Sequence, residues 1–160
     1  MPEIKTQPLT KQAFAPFGEV LDMSGEHYGI NKGHAQRYDV GRVTLAGESH
    51  GRISLVRAEP VTFPHTLDMV ERHPLGSQAF HPLGQVPFLV IVAPDEGGRP
   101  GTLVAFVTAP GQGINYDINT WHGVLTPLGE SADFIVIDRG GEGPNLEIHD
   151  FAEPYTVVAG

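Results

Sequence analysis

Glu71-Arg72-His73-Pro74-Leu75-Gly76-Ser77-Gln78-Ala79-Phe80 runs from a polar strand end, through a turn, into the start of a second strand. Side chains alternate along a strand, so Glu71 and His73 point to one face and Arg72 to the other. The turn at Pro74 to Gly76 brings the chain back, and Gln78 then faces the same space as Glu71 and His73. An interior lined by Glu, His and Gln is costly unless those groups meet a ligand or one another.

Around this stretch the chain is punctuated for turns throughout, with 20 glycines and 14 prolines. Short runs rich in Val, Ile, Leu and Phe lie between them. Strands are predicted at Arg52–Arg57, Thr66–Arg72, Phe88–Ala93, Leu103–Thr108 and Ala132–Asp138. Weaker strand signals fall at Gln78–His81, Gly113–Tyr116, Val124–Thr126, Glu147–His149 and Tyr155–Val158. Many short strands at near-regular spacing predict an all-β barrel or sandwich. Thr10 suits the cap of a short helix over Lys11–Phe14, stopped by Pro16 and Gly18. Asp95–Gly101 reads as an exposed hairpin connection. An edge strand near either terminus would be a natural place for a subunit interface.

At 160 residues the chain is expected to form a single domain, residues 1–160, with a substantial core. It has no cysteine, which excludes disulfides, thiolate metal sites and a cysteine nucleophile. Ten Lys+Arg against 19 Asp+Glu give a formal charge of −9, too acidic for a nucleic-acid or anionic-lipid surface. A small anionic ligand must then be held by a few specific cations in a pocket. No apolar run reaches the ~18 residues of a membrane helix, and the N-terminal residues show no secretory pattern. A cytoplasmic location is expected. There is no Gly-x-Ser-x-Gly elbow and no phosphate loop.

Asn115-Tyr116-Asp117-Ile118-Asn119-Thr120-Trp121-His122 is the second informative segment. Asn119 and Thr120 suit a turn into a strand on which Trp121 and His122 face opposite ways, with the indole on the packing side. The pair of segments resembles the two-part motif of the cupin superfamily, in which a His-x-His pair and a Glu on one hairpin join a His from a later strand to hold a divalent metal. Glu71 stands at the first of those positions, His73 at the second, Gln78 at the Glu and His122 at the last. Gln is a poor ligand beside imidazole or carboxylate, so a metal-free site and a loaded one are both open.

The likeness is closer than the superfamily. His73-Pro-Leu-Gly-Ser-Gln-Ala-Phe80, Gly113-Ile-Asn-Tyr116 with Trp121-His122, Ile30-Asn-Lys-Gly33 followed by Arg37-Tyr38, and Ile137-Asp-Arg-Gly140 resemble the ureidoglycolate lyase family. That resemblance implies a cupin-like double-stranded β-helix with a few short helices. It also implies a homodimeric cytosolic enzyme, associated with nickel and without an organic cofactor, that splits (S)-ureidoglycolate into glyoxylate and urea in allantoin degradation.

Ureidoglycolate carries a hydroxyl, a carboxylate and a ureido nitrogen on one carbon. Its cleavage needs a base for the hydroxyl proton, an acid for the departing nitrogen and a cation for the carboxylate. Glu71, His73 and His122 are the acid and base candidates, and also the candidate ligands of a divalent ion. Gln78 and Asn115 suit the ureido group, and Tyr116 is a further substrate-binding candidate that reads also as a barrel-packing aromatic. Lys32, Arg37 and Arg139 are the cation candidates, since arginine meets a carboxylate bidentately. Arg72 ranks below them because it should point away from Glu71 and His73. Asp138 reads either as an ion-pair partner of Arg139 or as a group that orients a clamping arginine such as Arg37. His27, His34, His50, His65, His81 and His149 lack a supporting string and read as surface or core groups. Two other functions fit the same residues: a different cupin enzyme (a metal-dependent dioxygenase or isomerase), or a non-catalytic module that binds a small acid.

Overall fold

A computed structural model describes residues 1–160. In chain order the strands are β1 (Glu3–Pro8), β2 (Gly18–Leu21), β3 (Tyr28–Ile30), β4 (Ala35–Arg37), β5 (Ser49–Ala58), β6 (His65–Arg72), β7 (Gln78–Pro82) and β8 (Phe88–Ala93). There follow β9 (Asp95–Glu96), β10 (Arg99–Pro100), β11 (Val104–Val107), β12 (Gly113–Tyr116), β13 (Trp121–His122), β14 (Thr126–Pro127), β15 (Ala132–Gly141) and β16 (Glu147–Val158). The one α-helix, α1 (Lys11–Phe14), starts where expected, because the Thr10 hydroxyl accepts from the Ala13 N–H at 3.1 Å, and a single 3-10 turn spans Asn31–Gly33. Such a cap contributes about 1 kcal/mol.

Six strands close on themselves in the order β11-β1-β16-β6-β13-β8, with β8 pairing back to β11. A second, five-stranded sheet runs β2-β12-β7-β15-β5. Alternation along β8 shows how the two layers share a core. Leu89, Ile91 and Ala93 join Leu67, Val70, Ala105, Trp121 and Val157 inside the ring. Phe88, Val90 and Val92 face the other way, onto Ile114, Tyr116, Phe134 and Val136 of the five-stranded sheet. A strand buried on both faces reads as a continuous apolar run, as Phe88–Ala93 does.

The all-β, cupin-like fold is as expected, and so is the small hairpin of β9 and β10. Three details differ. The two weak signals at Glu147–His149 and Tyr155–Val158 belong to one twelve-residue strand, β16, whose register shifts between Asp150 and Tyr155. The signal at Val124–Thr126 is displaced to Thr126–Pro127. The strands near the termini, β1 and β16, each pair on both sides within the ring, so neither is an edge. No helix is long and apolar enough to cross a membrane.

Candidate active site

The site forms where the ring and the five-stranded sheet meet. In the ring, Glu71 of β6 lies directly opposite His122 of β13. Directly opposed residues on an antiparallel pair share a face, with Cβ atoms ~5 Å apart. Across the gap, Gln78 of β7 lies opposite Tyr116 of β12. The turn before β13 is made as the sequence suggests: Asn119 takes a left-handed φ of 64°, which Asn tolerates, and the Thr120 hydroxyl donates to the Phe17 carbonyl at 2.9 Å. The Asn119 N–H donates to the His73 carbonyl at 3.1 Å, which ties the two informative segments together through their backbones.

Both imidazoles are aimed by their Nδ1 atoms. His73 Nδ1 donates to the Asn145 carbonyl at 2.8 Å, and His122 Nδ1 donates to the Gly123 carbonyl at 2.9 Å. Each Nε2 is left with its lone pair, buried and without a partner in the protein. The rings lie 5.2 Å apart between centroids. His73 Nε2 is 3.9 Å from a Glu71 oxygen, and one ligand atom from each of Glu71, His73 and His122 falls within 4.8 Å of the other two. Two imidazoles whose second nitrogens are anchored to carbonyls, plus one carboxylate, form a donor set that fits a divalent ion with open positions.

The His122 ring is stacked on Tyr116 at 4.1 Å and 5°. Burial pulls its pKa from 6.5 down to about 3, despite the Gly123 hydrogen bond, and His73 adds to the effect. The ring is therefore neutral at physiological pH, a ligand or acceptor and not a proton donor. Burial and the Glu71 carboxylate push the Tyr116 phenol upward, so it stays protonated.

A cavity of about 290 Å³ opens beside His73, bordered also by Gln78, Asp138, Arg139, Arg52 and Asn145, with Leu146 its one apolar wall; Glu71, His122 and Tyr116 lie behind His73 and do not line it. Arg72 points away, as expected. Its guanidinium sits 4.8 Å over Trp121 and pairs with Asp95 and Glu147, while the indole N–H donates to Asp95 at 3.0 Å.

Several expectations meet a different arrangement. The imidazoles face the space between the two sheets, and Trp121 occupies the ring interior, so the polar site is not inside the closed ring. Asp138 does not pair with Arg139 or Arg37. It receives Arg52 bidentately, at 3.0 Å twice. Arg139 is buried and spends its N–H groups on the carbonyls of Ala46, Glu48 and Glu142. Asn115 is buried on the outer face of its sheet, the opposite side from Tyr116, where it donates to Glu19 and to the Arg42 carbonyl. Lys32 and Arg37 belong to the exposed hairpin of β3 and β4, which pairs only with itself, and Arg37 is bound to Asp39. The structure does not bring these last three to the cavity.

Sequence reasoning missed Arg52 and Asn145. Asn145 holds the His73 loop twice, since its side-chain oxygen also accepts from the Leu75 N–H at 2.8 Å. Neither residue carries a local signal, because each acts across more than 70 positions of chain.

A family model described as Ureidoglycolate lyase matches residues 1–158. A ureidoglycolate lyase of Chelativorans sp. is 57% identical over 160 residues, covering 98% of this chain and 97% of the relative. One from Mesorhizobium japonicum is 54% identical, covering 98% of each chain. A third, from Rhodobacter capsulatus, is 48% identical, covering 98% of this chain and 99% of the relative.

Proposed function

Since the chain belongs to the ureidoglycolate lyase family, we propose that it splits ureidoglycolate into glyoxylate and urea at the cavity beside Glu71, His73 and His122. It is a lyase. The observation that supports this site most strongly is the pair of buried, unpartnered Nε2 atoms of His73 and His122 beside one carboxylate. Buried polar atoms without partners are rare and need a reason, and a bound ligand supplies one.

Cleavage moves one proton. The hydroxyl proton leaves as the carbonyl of glyoxylate forms, the carbon–nitrogen bond breaks, and the departing nitrogen gains a proton to become urea. No water is consumed. Glu71 is the group that takes the hydroxyl proton on one carboxylate oxygen and returns it to the departing nitrogen, which leaves the lone pair of His73 Nε2, 3.9 Å away, for an ion. His122 remains neutral and accepts. Tyr116 stays a phenol and backs the His122 ring by stacking on it. Gln78 binds the ureido group. Arg139 forms no ion pair in the protein, and its buried charge sets a positive field at the cavity for the carboxylate.

A divalent ion fits Glu71, His73 and His122, and when bound would polarise the hydroxyl oxygen and lower its pKa. Nickel is the proposed ion, and imidazole suits it. We further propose that residues 1–160 form one domain and that the enzyme is a homodimer of the cytoplasm.

The test is incubation with ureidoglycolate and separate assays of urea and ammonia. Urea with glyoxylate is the expected result. Ammonia without urea would mark hydrolysis instead, and neither product would favour a binding module. His73→Ala and His122→Ala should each lose most turnover while staying folded, whereas His27→Ala should not.

A further inference from the structure

One acidic side chain at the cavity has no part in the proton transfer above. Asp138 of β15 is buried, and its carboxylate receives three N–H groups. Two come from Arg52, its cross-strand neighbour on β5, through Nε and Nη2 at 3.0 Å each. The third comes from Gln78 Nε2 at 3.2 Å. Both oxygens of that carboxylate accept from the guanidinium, which has donors only, so toward Gln78 the group presents an acceptor.

That restriction fixes the Gln78 amide. Only its NH₂ end can face Asp138, so its carbonyl end must point elsewhere. Gln78 Oε1 is buried and has no partner in the protein, and Gln78 borders the same cavity as His73. A buried acceptor left unmade is unfavourable, and the cavity is thereby set to receive an N–H from whatever enters it. Ureidoglycolate has one N–H and one NH₂ on its ureido group. Glyoxylate has none.

Resting on the function proposed above, we infer that Asp138 is a positioning residue: with both oxygens accepting from Arg52, it locks Gln78 with its carbonyl toward the ligand. The lock selects acids that carry an N–H. A hydroxy acid of the same size with a methylene and a methyl group in place of the NH and NH₂ would leave Oε1 unpaired and be rejected. Sites built on a hydrogen bond discriminate against analogues that lack it far more than apolar pockets do.

The test is Asp138→Asn. Asparagine offers Gln78 either an oxygen or an N–H, so the amide loses its fixed direction. KM for ureidoglycolate should rise about tenfold, as for one buried hydrogen bond. kcat should change much less, and glyoxylate should inhibit as in the wild type. Gln78→Met should show the same selective rise, and the double variant should be no worse than Gln78→Met alone. If Asp138→Asn does not fold, Asp138→Ser carries the same ambivalence and takes its place. Three results would overturn the inference: KM unchanged in Asp138→Asn, KM and the glyoxylate constant rising together, or Gln78→Met leaving KM unchanged. A wild-type enzyme that does not turn over ureidoglycolate would remove the functional reading instead, which is a separate outcome.

Discussion

Acidification should destabilise this protein most through His122, beyond the smaller contributions of His65, Asp22 and Asp133. His122 is almost fully buried, stacked on Tyr116, and its pKa falls to about 3 from the ordinary 6.5. Above pH 6.5 the imidazole is neutral in both folded and unfolded chains, and it contributes no pH dependence. Between 6.5 and about 3 the unfolded chain binds a proton that the folded one refuses. Stability therefore drops as pH falls, by about 1.4 kcal/mol per unit. At pH 4 the loss is about 3 kcal/mol, a large share of the ~5–15 kcal/mol that holds a typical domain folded. The assay is urea unfolding at pH 7, 6, 5 and 4 with a chelator present, on the wild type and on His122→Gln. Glutamine fills similar space and does not titrate. Subtracting one curve from the other cancels the remaining carboxylates and histidines to first order. The wild-type advantage should shrink, or turn into a deficit, by about 3 kcal/mol from pH 7 to pH 4. A difference that stays flat across that range would show that His122 is solvated or charged, and the case for its neutral Nε2 would collapse.

Elemental analysis should find a divalent ion in the protein purified without chelator, and His73→Ala should weaken its binding at least tenfold by titration with a chromophoric chelator. Gln78 and Asn115, both candidates from sequence, should separate: Gln78→Met raises KM, while Asn115→Ala leaves KM and kcat within about twofold and lowers stability by about 1 kcal/mol through its lost bonds to Glu19 and Arg42. Gly76→Ala should destabilise by about 1–3 kcal/mol in chemical denaturation, because the added Cβ would lie 2.6 Å from Arg139 Cβ, an atom that cannot swing aside.

Much of this fold is legible locally. Phe88–Ala93 and Gly113–Tyr116 are read correctly to the residue, since an apolar run bounded by Pro, Gly and Asp has few other uses. The shared face of Glu71 and His122 is legible too, by alternation from two turn-bounded segments. What is not legible is long-range register. Arg52 reaches Asp138 across 86 positions, and Asn145 reaches His73 across 72. Both partners are set by which strand lies beside which, and nothing in Arg52–Arg57 or Gly143–Asn145 announces it. The side on which Asn115 falls was missed for a related reason. Its string matches the family motif, but alternation with Tyr116 sends the two side chains to opposite faces of β12, and only the covering segment at Arg42 shows that Asn115 faces outward.

Alternation also explains why the site is held in one register. A one-residue slip of β13 would move every side chain to the other face. His122 would enter the apolar ring core, and Trp121 would enter the polar site. The slip would strip the indole of its Asp95 acceptor and of the Arg72 cation above it. It would also break the ladder partners of Trp121 and His122 at Ala93 and Val92. A cation–π contact in a desolvated setting contributes ~1–2 kcal/mol and an unpaired buried N–H costs ~1–3 kcal/mol, before the misplaced imidazole is counted. The imidazole that faces the site is thus fixed in large part by the aromatic residue that faces away from it, and Trp121, although it touches no ligand, sets where His122 can be.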